Sequence, residues 1–224
     1  MTIAPPQHIV ARSGFKTRRR ANAKLVANCG DRLLVQSGSF RLDAGKRNTT
    51  LTISMHQASV EVFTQFLGSL SDLLDRAAAY AEAKEIDPSV LLDAQLYPNM
   101  YSLTRQVGEA NRHALLACAL LAGVEAPVFP DIEPDIPELK ARIATVVAFM
   151  RSLQPADING TEIKRVIFTF RSGSTREFTG LSLLLTFSVP QFFFHVTTAY
   201  DILRHCGVDL VKKDFLGTPS RSLA

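Results

Sequence analysis

Five histidines are spread over the 224 residues, and His195 is the one placed where an imidazole can do chemistry. From Phe192 the apolar residues Val196, Ala199, Leu203 and Cys206 recur every three or four positions, which stacks them on one face of a helix. At about 100° per residue that arc runs from Ile202 to Val196, and His195 falls inside it. An inward imidazole has three uses: a structural hydrogen bond to a neighbouring helix or to Gln191, contact with a bound ligand, or ligation of a metal. The hydrogen bond is the ordinary one. Gln106 and His113 lie seven residues apart on one flank of another apolar stripe, and with Gln191 they complete the candidate pocket around His195. His56 stands just ahead of the first helix, and His205 follows Arg204 in a last turn, where the helix dipole favours cations.

No catalytic residue can be assigned from motifs. The chain has no nucleophile elbow, phosphate-cradling glycine loop, dinucleotide fingerprint or paired-carboxylate signature, and Ser172-Gly173-Ser174 reads only as a turn. Cys29, Cys118 and Cys206 are odd in number and far apart, so no disulfide framework or zinc knuckle is implied and a reducing, cytoplasmic setting suits them.

The elements that must position these residues are helical. Val60, Phe63, Leu67, Leu70, Leu74, Ala77 and Ala81 alternate by threes and fours, the seam of a helix in a bundle. Leu103, Val107, Ala110, Ala114, Ala117 and Leu121 repeat the rhythm up to Gly123, a C-terminal cap. After a proline-rich connection, Leu139, Ile143, Val146, Met150 and Leu153 mark a third helix closed by Pro155. Val166, Phe168 and Phe170 then alternate with Ile167, Thr169 and Arg171, a turn follows, and Thr175 to Thr179 return with Phe178 inward. Such a hairpin is marginal alone and must lie on the bundle. The last helix runs from Gly180 to about Gly207, and the tail is expected to dock through Leu210, Phe215 and Leu216. The apolar run Leu181 to Val196, broken by Pro190, falls short of the ~20 residues a membrane span needs, so no membrane is expected.

Charge separates the chain into parts. Ten basic residues stand against two acidic ones up to Ser54, and fifteen against nineteen beyond it, so +8 and −4 make the overall +4. Residues 1–50 read as a basic, mostly disordered arm, 51–217 as the helical domain, and 218–224 as a tail. The arm has three functional readings: a nucleic-acid-binding tail, an organelle transit peptide, or a membrane-surface anchor.

Four separated blocks carry a resemblance. They are Thr52 to Val60, Leu103-Thr104-Arg105-Gln106-Val107, Phe192 to Arg204, and Asp214-Phe215-Leu216-Gly217. They resemble, in order, an uncharacterised family, domain of unknown function nineteen ninety-three, which is grouped with DinB-like bundles. The resemblance implies a mainly α fold, a DinB-like four-helix bundle with a small β-hairpin inserted before the last helix. Members begin near Leu51, so the natural start is expected there and the arm is read as a mis-assigned leader. DinB-like proteins hold a divalent metal with one histidine of the second helix and a His-x-x-x-His pair on the fourth. His195 resembles the second histidine of that pair, but Gln191 stands where the first belongs. The family's triad is therefore expected to be incomplete, with no metal or other cofactor and with His195 as the only remaining ligand.

The function expected is binding of a small molecule or partner near the last helix. The alternative is a metal-dependent DinB-type enzyme, a thiol transferase or hydrolase. Tyr200, Asp201 and Arg204 point off the core arc, which suits a homodimer contact or a salt-bridged surface. Nucleic acid is expected only through the basic arm: its binding would be strongly salt-sensitive and vanish on removal of residues 1–50. A truncated chain that binds as well as the full one excludes it.

Overall fold

The seven positions that beat from Val60 to Ala81 are all 5% exposed or less, and they hold the first long helix against the core. The computed structural model describes residues 53–131 and 135–219, so the arm, Cys29 and the expected start at Leu51 lie outside the described residues. Ser54 and Gln57 close the beginning of this helix reciprocally, each backbone N–H donating to the other's side-chain oxygen at 3.1 Å. A π-helical segment, Gln57–Glu61, leads directly into α1, Val62–Ala83.

Short α2, Ser89–Leu92, begins where Asp87 Oδ1 accepts from the Ser89 N–H at 2.8 Å. α3, Leu103–Ala122, ends at Gly123, whose φ of 75° lets its N–H close on the Ala119 carbonyl. α4, Ile136–Ser152, is capped by Asp135, which accepts from the Glu138 N–H, and the single turn α5, Pro155–Ile158, follows. β1, Arg165–Thr169, and β2, Thr175–Thr179, pair antiparallel with Val166 opposite Phe178. α6, Gly180–Ser182, a π-helical segment Leu183–Ser188, and α7, Val189–His205, then run on as one helix, and α8, Lys212–Leu216, closes the fold.

The fold is mainly helical with one two-stranded hairpin, and α1, α3, α4 and α7 share one core. α3 packs most extensively on α7. Its fully buried Ala110, Ala114 and Ala117 let the two backbones approach, so a side chain on one helix reaches the other easily.

The last helix is continuous from Gly180 to His205 and 26 residues long, close to its expected span, and Pro190 interrupts only the apolar run. The wider π turn ends at Val189, whose N–H bonds the Leu184 carbonyl, so the ladder is already displaced where Pro190 has no donor. By length and composition alone this helix could cross a bilayer, contrary to the shorter span read from the sequence; here its apolar face packs on α1 and α3. The tail docks through Leu210 and Phe215, but Leu216 is 38% exposed and contributes its carbonyl to Gln65 instead of its side chain.

The hairpin rests on the last helix through Phe187, which meets Phe168 at 4.9 Å and Phe178 at 5.1 Å between ring centroids. Gly180, where β2 turns into α6, lies so close to the Thr161 carbonyl that a Cβ there has no room. Gly180→Ala is therefore expected to cost about 1–3 kcal/mol in urea unfolding, the price of overpacking. A variant as stable as the parent would show that this backbone approach is not fixed.

Candidate functional site

The face of α3 that meets α7 is polar at three places, Gln106, Glu109 and His113, spaced by three and four so that they share one side of the helix. They are 1%, 5% and 5% exposed, so each needs an internal partner. Gln106 finds His195 across the interface, with its Oε1 2.7 Å from His195 Nδ1. The Gln106 amide NH2 donates to the Tyr101 carbonyl at 3.1 Å, which turns the amide oxygen toward the ring. His195 Nδ1 therefore carries the hydrogen and donates it, and Nε2 keeps its lone pair.

His113 lies beside His195, the rings 5.7 Å apart and 14° from parallel, and packs on Phe168 and edge-on to Phe187. Its buried Nδ1 has no hydrogen-bond partner. Burial first, then the neighbouring His195, pushes the His113 pKa down to about 4 against the opposing pull of Glu109. Burial likewise lowers that of His195, opposed by Glu109. Both rings are therefore neutral near pH 7, able to offer lone pairs.

Glu109 is ionised in the same spot. Burial would raise its pKa, but a hydrogen bond and charge from Arg171, with Arg112 and Arg105 behind, bring it below the ordinary carboxylate value. Arg171 Nε donates to Glu109 Oε1 at 2.7 Å, while Arg105 Nε stands 3.3 Å away and Arg112 Nη1 4.0 Å. Arg171 also pairs with Asp131. One donor atom each from Glu109, His113 and His195 falls within 4.8 Å of the others.

These groups line a cavity of about 330 Å³, whose wall includes Tyr101, Arg112, Phe170, Arg171, Phe187 and Gln191. A larger cavity of about 520 Å³ lies elsewhere, along α1 and the tail; its charged lining residues Glu61, Asp72 and Arg151 are exposed, and the buried histidines are not in it.

The structure thus brings together all four residues of the sequence reading. His195, Gln191 and His113 line the cavity, and Gln106 stands behind His195 as its hydrogen-bond partner. The inward imidazole is held by the neighbouring helix rather than by Gln191. Glu109 and Arg171 were missed. A carboxylate set between Gln106 and His113 on an alanine-rich, inward-facing helix was the available signal; Arg171, in a hairpin turn, carried none. Arg105 aims its Nε at Glu109 and its guanidinium over the Tyr101 ring. Tyr200, expected to point off the core arc, is half-buried under Phe215 of the tail.

The sequence pattern of the family described as Domain of unknown function (DUF1993) matches residues 55–216. The crystal structure of a DinB family member protein from Shewanella denitrificans is 33% identical, superposes with a TM-score of 0.68, and covers 75% of this chain and 95% of its own. No protein of curated function matches the sequence.

The depressed His113 pKa makes stability depend on pH. Between about 4 and the ordinary 6.5 the unfolded chain binds the proton and the folded chain does not. Stability is full above that window and falls by roughly 3 kcal/mol as pH drops through it, taking 1.36 kcal/mol per unit. Urea unfolding of metal-free protein across this range should show the slope, and His113→Phe, which keeps the aromatic stack, should flatten it. An unchanged slope in the variant would assign the acid lability to other groups.

Proposed function

The chain belongs to the DUF1993 family and has a DinB-like fold, and from that premise we propose that it works through a divalent-metal centre held by His113, His195 and Glu109. One observation carries this reading: two neutral imidazoles and an ionised carboxylate, borne by two different helices, offer donor atoms within 4.8 Å of one another. At the positions that the family resemblance implies, His195 is the only ligand. Here the additional donors sit on α3, one and two turns beyond Gln106, facing α7.

The residues fit such an ion in detail. The Nδ1 of His113 is buried without a hydrogen-bond partner, and the Gln106 carbonyl oxygen fixes His195 with its Nε2 lone pair available. Glu109 supplies negative charge. A bound divalent ion would supply Lewis acidity and lower the proton affinity of a ligand beside it. Phe170 and Phe187 limit water on one side, Gln191 offers a neutral hydrogen-bonding group, and Arg112 and Arg171 supply fixed positive charge. With three protein ligands and open positions, the reaction class that suits this arrangement is hydrolysis or thiol transfer on a small molecule. Cys118 and Cys206 are free, which supports a cytoplasmic setting.

A second reading, a metal-free binding pocket, is favoured by the three arginines that already compensate Glu109. Elemental analysis and calorimetric titration with zinc, nickel and manganese separate the two. The metal centre predicts near-stoichiometric uptake that His195→Ala and His113→Ala abolish, and a loss in affinity of about 10–100-fold in Gln106→Leu, which removes only the outer support. Protein that takes up none of the three ions sinks the metal centre and leaves the binding pocket.

A further inference from the structure

Glu109 is over-served. Three guanidinium groups converge on one carboxylate, and only Arg171 makes a close, in-line hydrogen bond to it. Arg105 Nε, although 3.3 Å away, is buried without a hydrogen bond, and Arg112 Nη1 at 4.0 Å is beyond hydrogen-bonding reach. The second acid, Asp131, touches only Arg171 within this group and is 83% exposed. With neutral histidines and among the described residues, Arg105, Arg112 and Arg171 face Glu109 and Asp131, so these five groups carry an excess of one positive charge, and Arg142 adds to the repulsion at Arg112.

That excess is on the cavity wall. Arg112, with 17% of its side chain exposed, and Arg171, with 31%, both line the cavity beside His113 and His195. Arg112 is fixed in place by its Nη2 bond to the Thr169 carbonyl at 2.9 Å and by the Phe168 ring under its guanidinium, which leaves Nη1 toward Glu109. Crowding by Arg171 and Arg105 adds to burial in lowering the Arg112 pKa, despite Glu109, so negative charge placed there would relieve it. A divalent ion entering next to Glu109 meets the same crowding, and ligation would draw the carboxylate away from its arginines. An incoming oxyanion answers both costs, because a guanidinium holds a carboxylate or phosphoryl group by paired, charge-assisted hydrogen bonds.

We propose that the cavity takes a small oxyanionic ligand, its carboxylate or phosphoryl group seated on Arg112 and Arg171, so that the substrate class of this site is anionic. The inference rests on the functional reading above only for its link to the ion: anion and metal then bind cooperatively, each raising the affinity of the other. Glu109 is the competitor the ligand displaces from the arginines.

Calorimetric titration of metal-free full-length protein with inorganic phosphate and, separately, with malonate tests this and tells phosphoryl from carboxylate chemistry. At least one should bind, about tenfold or more weaker in Arg112→Gln and in Arg171→Gln, and more tightly in Glu109→Gln, which frees the arginines. Arg171 sits in an exposed turn, so its variant keeps the test open if Arg112→Gln fails to fold. The proposal is overturned if neither anion binds, if both arginine variants bind as well as the parent, or if Glu109→Gln weakens binding. Binding of malonate or phosphate by a chain that takes no metal removes the metal centre alone, and metal uptake without either anion removes the anion site alone.

Discussion

A single hydrogen bond between two helices sets the terms for this fold: Gln106 Oε1, in the first turn of α3, to His195 Nδ1 of α7 at 2.7 Å. Both side chains are buried, and a buried polar group without its partner costs about 1–3 kcal/mol, so each is tolerable only because the other is there. The pair also discriminates between helix registers. Sliding α3 along α7 would separate this pair, a penalty that the neighbouring apolar side chains Leu103, Val107 and Ala110, which have no directional partners, do not impose. The backbone carbonyl of Tyr101, which holds the amide NH2, extends this constraint to the turn that enters α3.

Around that fixed point the electrostatics are in tension. Glu109 is buried, and its ionisation depends on Arg171, Arg112 and Arg105. The same arginines oppose any cation placed beside His113 and His195, while the two neutral imidazoles, with Nδ1 of His113 unpartnered, ask for a donor or an ion. An interior site that serves only stability resolves such demands internally, as Gln106 and His195 do. This one does not, and Glu109, Arg112, Arg171, His113 and His195 all line the cavity.

Much of the scaffold is legible in the sequence because helix burial follows a local rule. Every residue of the three- and four-spaced series in α1, α3 and α4 is buried, and the hairpin is visible from Val166 and Phe168. His195 is legible for the same reason, since its place on an apolar arc depends only on its own helix. What that rule cannot reach is pairing across elements. Gln106 and His195 are 89 residues apart, and Glu109 and Arg171 are 62 apart, so neither partnership leaves a periodic trace. The continuity of the last helix through Pro190 has a local cause too: a π turn has already shifted the hydrogen-bond ladder where the proline lacks a donor.

The hairpin shows how stability and site are joined. Two strands of five residues do not hold themselves in water, and here they hold through Val166, Phe168, Leu183 and Phe187, a small apolar cluster separate from the main core. Phe187 belongs to the π-helical segment and meets Phe168, Phe170 and Phe178 at once, so it seats both strands. The turn that follows β1 carries Arg171 to Glu109, and Phe168 packs against the ring of His113. The segment that brings Arg171 to the cavity is thus anchored by aromatic packing on the helix that carries His195. Any displacement of Phe187 would loosen the hairpin and, with it, the ion pair that keeps Glu109 charged. The insertion before the last helix is therefore part of the cavity wall, and the charge balance of the site depends on how firmly that small aromatic cluster is packed.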